Sequence, residues 1–235
     1  MAKIKNPYKS NKTYEVVSFK NHEAWKKDRD RGIGGSDVAC IVGQNPYKQA
    51  YQLWQEKKGL IEPKDISEKS YVKYGTLAEE PLRELFKLDF EDRYEVFYEP
   101  DVVFISKEYP FMRYSPDGIL YDKKTGEWGI FECKTTNIVQ SSQREKWEKD
   151  NIPNNYYCQI LHGLNVTGFK FVVLKAQLKF ENPSGFCNLS TRHYFWNVDG
   201  NVQVEEDMDY LKNEVIVWWN KYFIGNQEPP LELTL

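Results

Sequence analysis

Between Lys69 and Leu88 the apolar residues Tyr71, Tyr74, Leu77, Ala78, Leu82, Leu85 and Phe86 recur at steps of three and four, which predicts an amphipathic helix. Gly75 and Pro81 lie inside it as potential interruptions. The pattern then shortens to β-branched and aromatic runs, Tyr94 to Glu99, Asp101 to Ser106, Gly118 to Tyr121 and Trp128 to Lys134, separated by Pro100, Pro110, Pro116 and the turn Asp122 to Gly126. These runs predict adjacent strands of one sheet. Residues 138–149 and 153–166 read as helices, and Phe169 to Phe180 and Thr191 to Asp199 as long strands. A closing helix over 202–224 turns Tyr210, Leu211, Val215, Trp218, Trp219 and Tyr222 to one apolar side. Upstream, 21–29, 36–43 and 48–58 read as short helices, the second capped by Ser36 after a glycine-rich turn and the third stopped by Gly59.

The expected fold is therefore α/β (α+β), a central mixed sheet flanked by helices, because both faces of a sheet must be covered. No internal repeat or long linker divides the chain, so a single domain over 1–235 is expected. Its parts are a helical segment of about 1–90, a sheet core of about 91–180 and a final strand and helix of about 190–235.

Composition narrows the class. With 40% hydrophobic and 29% charged residues, the chain has material for a core and for a solvated surface. No run approaches the roughly 20 apolar residues of a membrane span, and the first residues lack the apolar stretch of a signal peptide, so a cytoplasmic location is expected. The four cysteines, Cys40, Cys133, Cys158 and Cys187, stand far apart without a C-x-x-C pair, which predicts free thiols and argues against an iron–sulfur cluster. A net charge of −3 supplies no overall attraction to nucleic acid, although positive charge can be confined to one channel.

The chemistry concentrates in two neighbouring segments, Ser115-Pro-Asp-Gly118 and Phe131-Glu-Cys-Lys134. Residues two apart in a strand share a face, so Glu132 and Lys134 project together, Cys133 faces away, and Asp117 meets them across the hairpin. Two converging carboxylates repel, and a hard divalent cation relieves that repulsion. Magnesium, with manganese as a substitute, is the expected ion, and Lys134 would position a water or stabilise phosphate oxygens.

In this order the chain carries Trp25-x-x-x-Arg29, Gly32-Ile-Gly-Gly-Ser-Asp37, Gly75-x-x-x-Glu79, Ser115-Pro-Asp-Gly118, Glu132-x-Lys134 and Tyr156-x-x-Gln159. That series resembles the PD-(D/E)xK nucleases, and within them the lambda-type phage exonucleases, or YqaJ-like viral recombinases. The resemblance spans roughly Trp25 to Leu174 and implies a restriction-endonuclease-like core. It also implies a 5′-to-3′ exonuclease acting on double-stranded DNA ends, a single-strand annealing partner and a ring of three subunits. The metal ligands it implies are Asp117, Glu132, the backbone carbonyl of Cys133, and Glu79, with Lys134 and Gln159 beside the attacking water. Arg29 and Ser36 are implied to receive the terminal 5′-phosphate, with Arg31 as the competitor for that role. His162 is expected to be a satisfied or exposed histidine and not a ligand, since a hard cation prefers oxygen.

Two other readings stay open at this level: an endonuclease of the same fold, and a DNA-binding or assembly protein without catalysis. Cleavage of circular DNA selects the first, and silence in every metal selects the second.

Overall fold

The computed structural model of the chain describes residue 4, residues 6–181 and residues 187–231. The chain first lays down β1 (Tyr14–Ser18), α1 (His22–Asp28), α2 (Gly35–Ile41), α3 (Ala50–Lys57) and α4 (Ser70–Asp89). Then come β2 (Tyr94–Phe97), β3 (Val102–Ser106), β4 (Arg113–Tyr114), β5 (Gly118–Asp122) and β6 (Trp128–Ile138). The last part holds α5 (Ser141–Glu145), α6 (Asn154–Thr167), β7 (Phe171–Glu181), β8 (Cys187–Asn197) and α7 (Val202–Trp218), which runs on into a π turn at Trp219–Ile224.

Five strands form the main sheet in the order β2-β5-β6-β7-β8, with β6 and β7 parallel and every other pair antiparallel. On one face lie Leu120, Phe131, Cys133, Phe171 and Val173, covered by Leu82 and Phe86 of α4. On the other, Ile130, Val172, Leu174, Ala176 and Leu178 pack in a larger core with α2, α6 and α7. Each fully buried large side chain in these layers contributes about 1.5–3 kcal/mol.

The run from Asp101 to Ser106 was expected in this sheet, and it is not there. It is β3, which pairs with β1 and β4 in a separate three-stranded sheet. Pro100 and Asp101, the latter at φ 52°, break the line between β2 and β3, and the unanticipated β1 supplies β3 with a full-length antiparallel partner. The aromatic contacts of Tyr14 and Phe104 with Phe169 tie this small sheet to the larger core.

Other expectations shift for local reasons. The helix expected over 138–149 shrinks to Ser141–Glu145, because β6 stays paired with β7 as far as Ile138 and Lys149 takes a positive φ of 59°. The stripe of α4 is narrower than predicted: Leu82 and Phe86 are buried, whereas Tyr71, Leu77 and Leu85 are exposed. Tyr210 is likewise exposed on α7. Pro81 stays within α4, where the carbonyl it leaves without a helical partner belongs to Leu77, an exposed residue. Gly75 lets α4 approach β6, where a Cβ would stand 3.3 Å from the Thr135 hydroxyl.

Candidate active site

The site lies where the main sheet splits. β5 begins at Gly118 opposite Phe131, so β6 runs on past it with one edge bare from Glu132 onward. Asp117, one residue before β5, closes that corner: its Oδ2 accepts the Cys133 N–H at 2.8 Å. A strand residue points its N–H and C=O to the same side, so the Cys133 carbonyl also points to this open edge, beside Asp117.

Glu132 and Lys134 share the face turned toward α6. Lys134 Nζ lies 2.8 Å from Glu132 Oε2 and 3.9 Å from Asp117 Oδ2. Glu132 is fully buried, and its other partners are Gln159, whose Nε2 donates to Oε2 at 2.9 Å, and the Tyr114 hydroxyl, which donates to Oε1. Tyr156, one turn before Gln159 on α6, lies with its ring 5.5 Å from the Lys134 ammonium. From the opposite side comes α4, whose Glu79 carbonyl faces the Cys133 thiol at 3.9 Å.

The electrostatics are those of crowded acids. Burial, and then the charge of Asp117, raise the Glu132 carboxyl to about 7 against the opposing effect of Lys134. Burial and Asp117 also raise Glu79 to about 7, with Lys134 and Arg83 opposing. Burial disfavours the Lys134 charge, but Glu132 and Asp117 outweigh it and hold the ammonium well above the ordinary lysine range. Among the described residues no three acidic, histidine or cysteine side chains close into one cluster. The oxygens of Asp117 and Glu132 with the Cys133 carbonyl suit a hard cation that binds few carboxylates and retains water, so the donor chemistry fits magnesium.

Arg29 and Ser36 meet as a pair, with Arg29 Nη2 donating to Ser36 Oγ at 2.8 Å. Trp25 links them to the carboxylate corner: the Arg29 guanidinium lies 5.0 Å from its ring centroid, and its Nε1 donates to Ser115 Oγ at 3.0 Å. Arg31 points away, with a largely exposed side chain 3.9 Å from Asp28. Ser36 is not the cap of α2. Gly34 takes that position and Asp37 Oδ2 accepts its N–H at 3.0 Å, because the turn places Ser36 already inside the helix. His162 is fully buried, with Nε2 3.1 Å from the carbonyls of Ile33 and Arg113 and Nδ1 unpartnered. Burial lowers it to about 4.

Five participants escaped sequence reading. Tyr114 holds Glu132 yet carries no motif signal beyond its place before Ser115. Arg83, buried one turn after Glu79, donates to the Asp117 carbonyl at 2.9 Å and stacks 3.6 Å from the Tyr98 ring centroid; its spacing of four from Glu79 was the available clue. Arg113 and Asp28 form a part-buried ion pair under the glycine turn, and Lys57 lies beneath Arg29.

The layered sheet and this corner define a class of fold. The crystal structure of an alkaline exonuclease, LHK-Exo, from Laribacter hongkongensis has a TM-score of 0.56 over 87% of this chain and 97% of that one, at 14% identity. The structure of LHK-Exo in complex with dAMP gives 0.52 over 87% and 98%, again at 14% identity. At such identity the likeness establishes a shared α+β fold. Residues 24–170 match the YqaJ-like viral recombinase domain, well over half of the chain, and the chain belongs to that family. It is 28% identical over 220 residues to the uncharacterized protein YqaJ of Bacillus subtilis, covering 90% of this chain and 60% of that protein. Protein D345L of African swine fever virus (isolate Tick/South Africa/Pretoriuskop Pr4/1996) is 33% identical over 161 residues, 60% of this chain and 44% of that one. The chain thus spans less than two thirds of these relatives' own length. No helix among the described residues is long and apolar enough to cross a membrane.

Proposed function

We propose that this chain is a magnesium-dependent 5′-to-3′ exonuclease that degrades one strand of linear duplex DNA, leaving a 3′ overhang for a single-strand annealing protein. The observation that carries the reading is the corner of Asp117, Glu132 and Lys134, with Lys134 Nζ 2.8 Å and 3.9 Å from the two carboxylates at a bare strand edge. The family membership and the fold shared with an alkaline exonuclease support it.

Asp117, Glu132 and the Cys133 carbonyl would hold the ion, with Glu79 as a further carboxylate. When bound, magnesium, or manganese in its place, neutralises charge on the scissile phosphate and acidifies water. Gln159 spends its amide N–H on Glu132, which leaves its carbonyl oxygen to orient a water proton. Lys134, held charged by its two carboxylates, stabilises negative charge growing on the phosphate oxygens. Arg29 and Ser36 receive the 5′-phosphate, the guanidinium as a bidentate fork and the hydroxyl as a single donor. Trp25 keeps that phosphate at a constant distance from the cutting corner through Ser115. A ring of three subunits would confine positive charge to a DNA channel while the whole chain stays at −3.

The test is incubation with linear duplex bearing 5′-phosphate or 5′-hydroxyl ends, and with closed circular DNA, in magnesium. Degradation of linear DNA alone, faster from phosphorylated ends and releasing mononucleotides, is the expected result. Cutting of circles selects an endonuclease, and no cleavage in any divalent metal removes the catalytic reading.

A further inference from the structure

The phosphate-receiving turn needs an anchor. Residues 29–36 cross from α1 to α2 through three glycines, and a segment so free of side chains loses much conformational entropy when ordered. Part of the anchoring is main-chain: the Ile33 N–H donates to the Phe111 carbonyl at 2.7 Å, and the Arg113 N–H to the Ile33 carbonyl at 2.9 Å. These contacts secure the middle of the turn and leave Arg29 and Ser36, at its ends, to be placed by something else.

Lys57, the last residue of α3, sits under both ends. Its Nζ lies 2.9 Å from Asp37 Oδ2 and donates to the Arg29 carbonyl at 2.8 Å, and its side chain is 6% exposed. The same Asp37 oxygen accepts the Gly34 N–H at 3.0 Å, at the start of α2. One ammonium therefore joins the last turn of the first helical segment to the first turn of α2, so the Arg29–Ser36 separation of 2.8 Å is set from below. These two acceptors engage the ammonium beneath the Arg29–Ser36 pair.

We infer that Lys57 is a positioning residue of the 5′-phosphate pocket: it fixes Arg29 against Ser36 through Asp37 and the Arg29 carbonyl, and so sets the preference for phosphorylated ends. This rests on the assignment of that pocket above. A cation that only stabilised the fold would, when removed, lower activity on every substrate alike. A positioning cation instead moves the ratio between two ends that differ by one phosphate.

The experiment compares kcat/KM on linear duplex with 5′-phosphate and with 5′-hydroxyl ends for the full chain, Lys57→Met, Lys57→Arg and the double variant Lys57→Met with Asp37→Asn. The double variant removes both charges together, so no carboxylate is left buried and unpaired if Lys57→Met alone fails to fold. We expect Lys57→Met and the double variant to lose about tenfold or more of the discrimination ratio, mainly through a raised KM on phosphorylated ends, with Lys57→Arg recovering part of it. Retention of the full ratio in the folded Lys57→Met or double variant overturns the inference and leaves the pocket standing. An unmodified chain that cuts DNA but ignores the 5′-phosphate overturns the pocket and this inference together. Equal loss on both ends, with the ratio intact, assigns Lys57 a structural role and also overturns the inference.

Discussion

Gly163→Ala should damage the active corner from behind it. In the middle of an exposed helix that change stabilises by about 1 kcal/mol, since alanine is the better helix former. Here a Cβ would stand 2.5 Å from Tyr114 Cζ, 2.7 Å from Cε1 and 2.8 Å from Cε2, distances real side chains do not tolerate. The ring has little room to swing clear, because Tyr114 is 2% exposed and the Gly35 backbone packs close against its Cδ2–Cε2 edge. Cζ carries the hydroxyl that donates to Glu132, so any retreat pulls the donor from a fully buried carboxylate. Overpacking costs about 1–3 kcal/mol, and losing a hydrogen bond to a charged group about 1.5–3 kcal/mol. Set against the helix gain, the balance is a loss of roughly 2–5 kcal/mol. At about 2–4 °C per kcal/mol for a chain of this size, the midpoint should fall by roughly 4–20 °C. Thermal unfolding followed by circular dichroism reads the first effect and the rate of linear duplex degradation the second. Tyr114→Phe, which removes only the hydroxyl, should lower the rate with a smaller loss of stability. A Gly163→Ala protein as stable and as active as the parent would refute the account of Tyr114 as the support of Glu132.

Asp117→Asn and Glu132→Gln should each abolish magnesium-dependent cleavage with the circular dichroism spectrum unchanged, and near-normal turnover in either would defeat the assignment. Lys134→Ala should cost about 3 kcal/mol of transition-state stabilisation, on the order of a hundredfold in rate, measured under single-turnover conditions. Arg29→Ala should erase the advantage of a phosphorylated end while Arg31→Ala keeps it; the reverse pattern would move the pocket by two residues. His162 is held neutral, its folded value of about 4 lying below the ordinary 6.5, so protons bind the unfolded chain first and stability falls as pH drops from about 6.5 toward 4. That window should span about 3 kcal/mol in urea midpoints, and His162→Gln should flatten the slope whatever its effect at neutral pH.

Local pattern was enough for much of the molecule. The spacing of Leu82 and Phe86 identified the helix that covers one sheet face, and the two-residue period placed Glu132 and Lys134 together with Cys133 opposite. Those features depend on neighbours within one element, where the backbone period alone dictates which side chains share a face. The family resemblance likewise pairs Arg29 with Ser36, and the two side chains are in contact at 2.8 Å. Strand partnership was another matter. Nothing in Val102–Ser106 distinguishes a strand of the main sheet from one paired with Tyr14–Ser18, because pairing is decided by which distant edge is free and which core its side chains fill. The same holds for Tyr114, Arg83 and Lys57, which reach the site from 18, 34 and 28 residues away to support Glu132, Asp117 and Arg29. Their roles follow from burial and from unsatisfied neighbours, and these exist only once α4, α6 and the small sheet have closed around the split in the larger one.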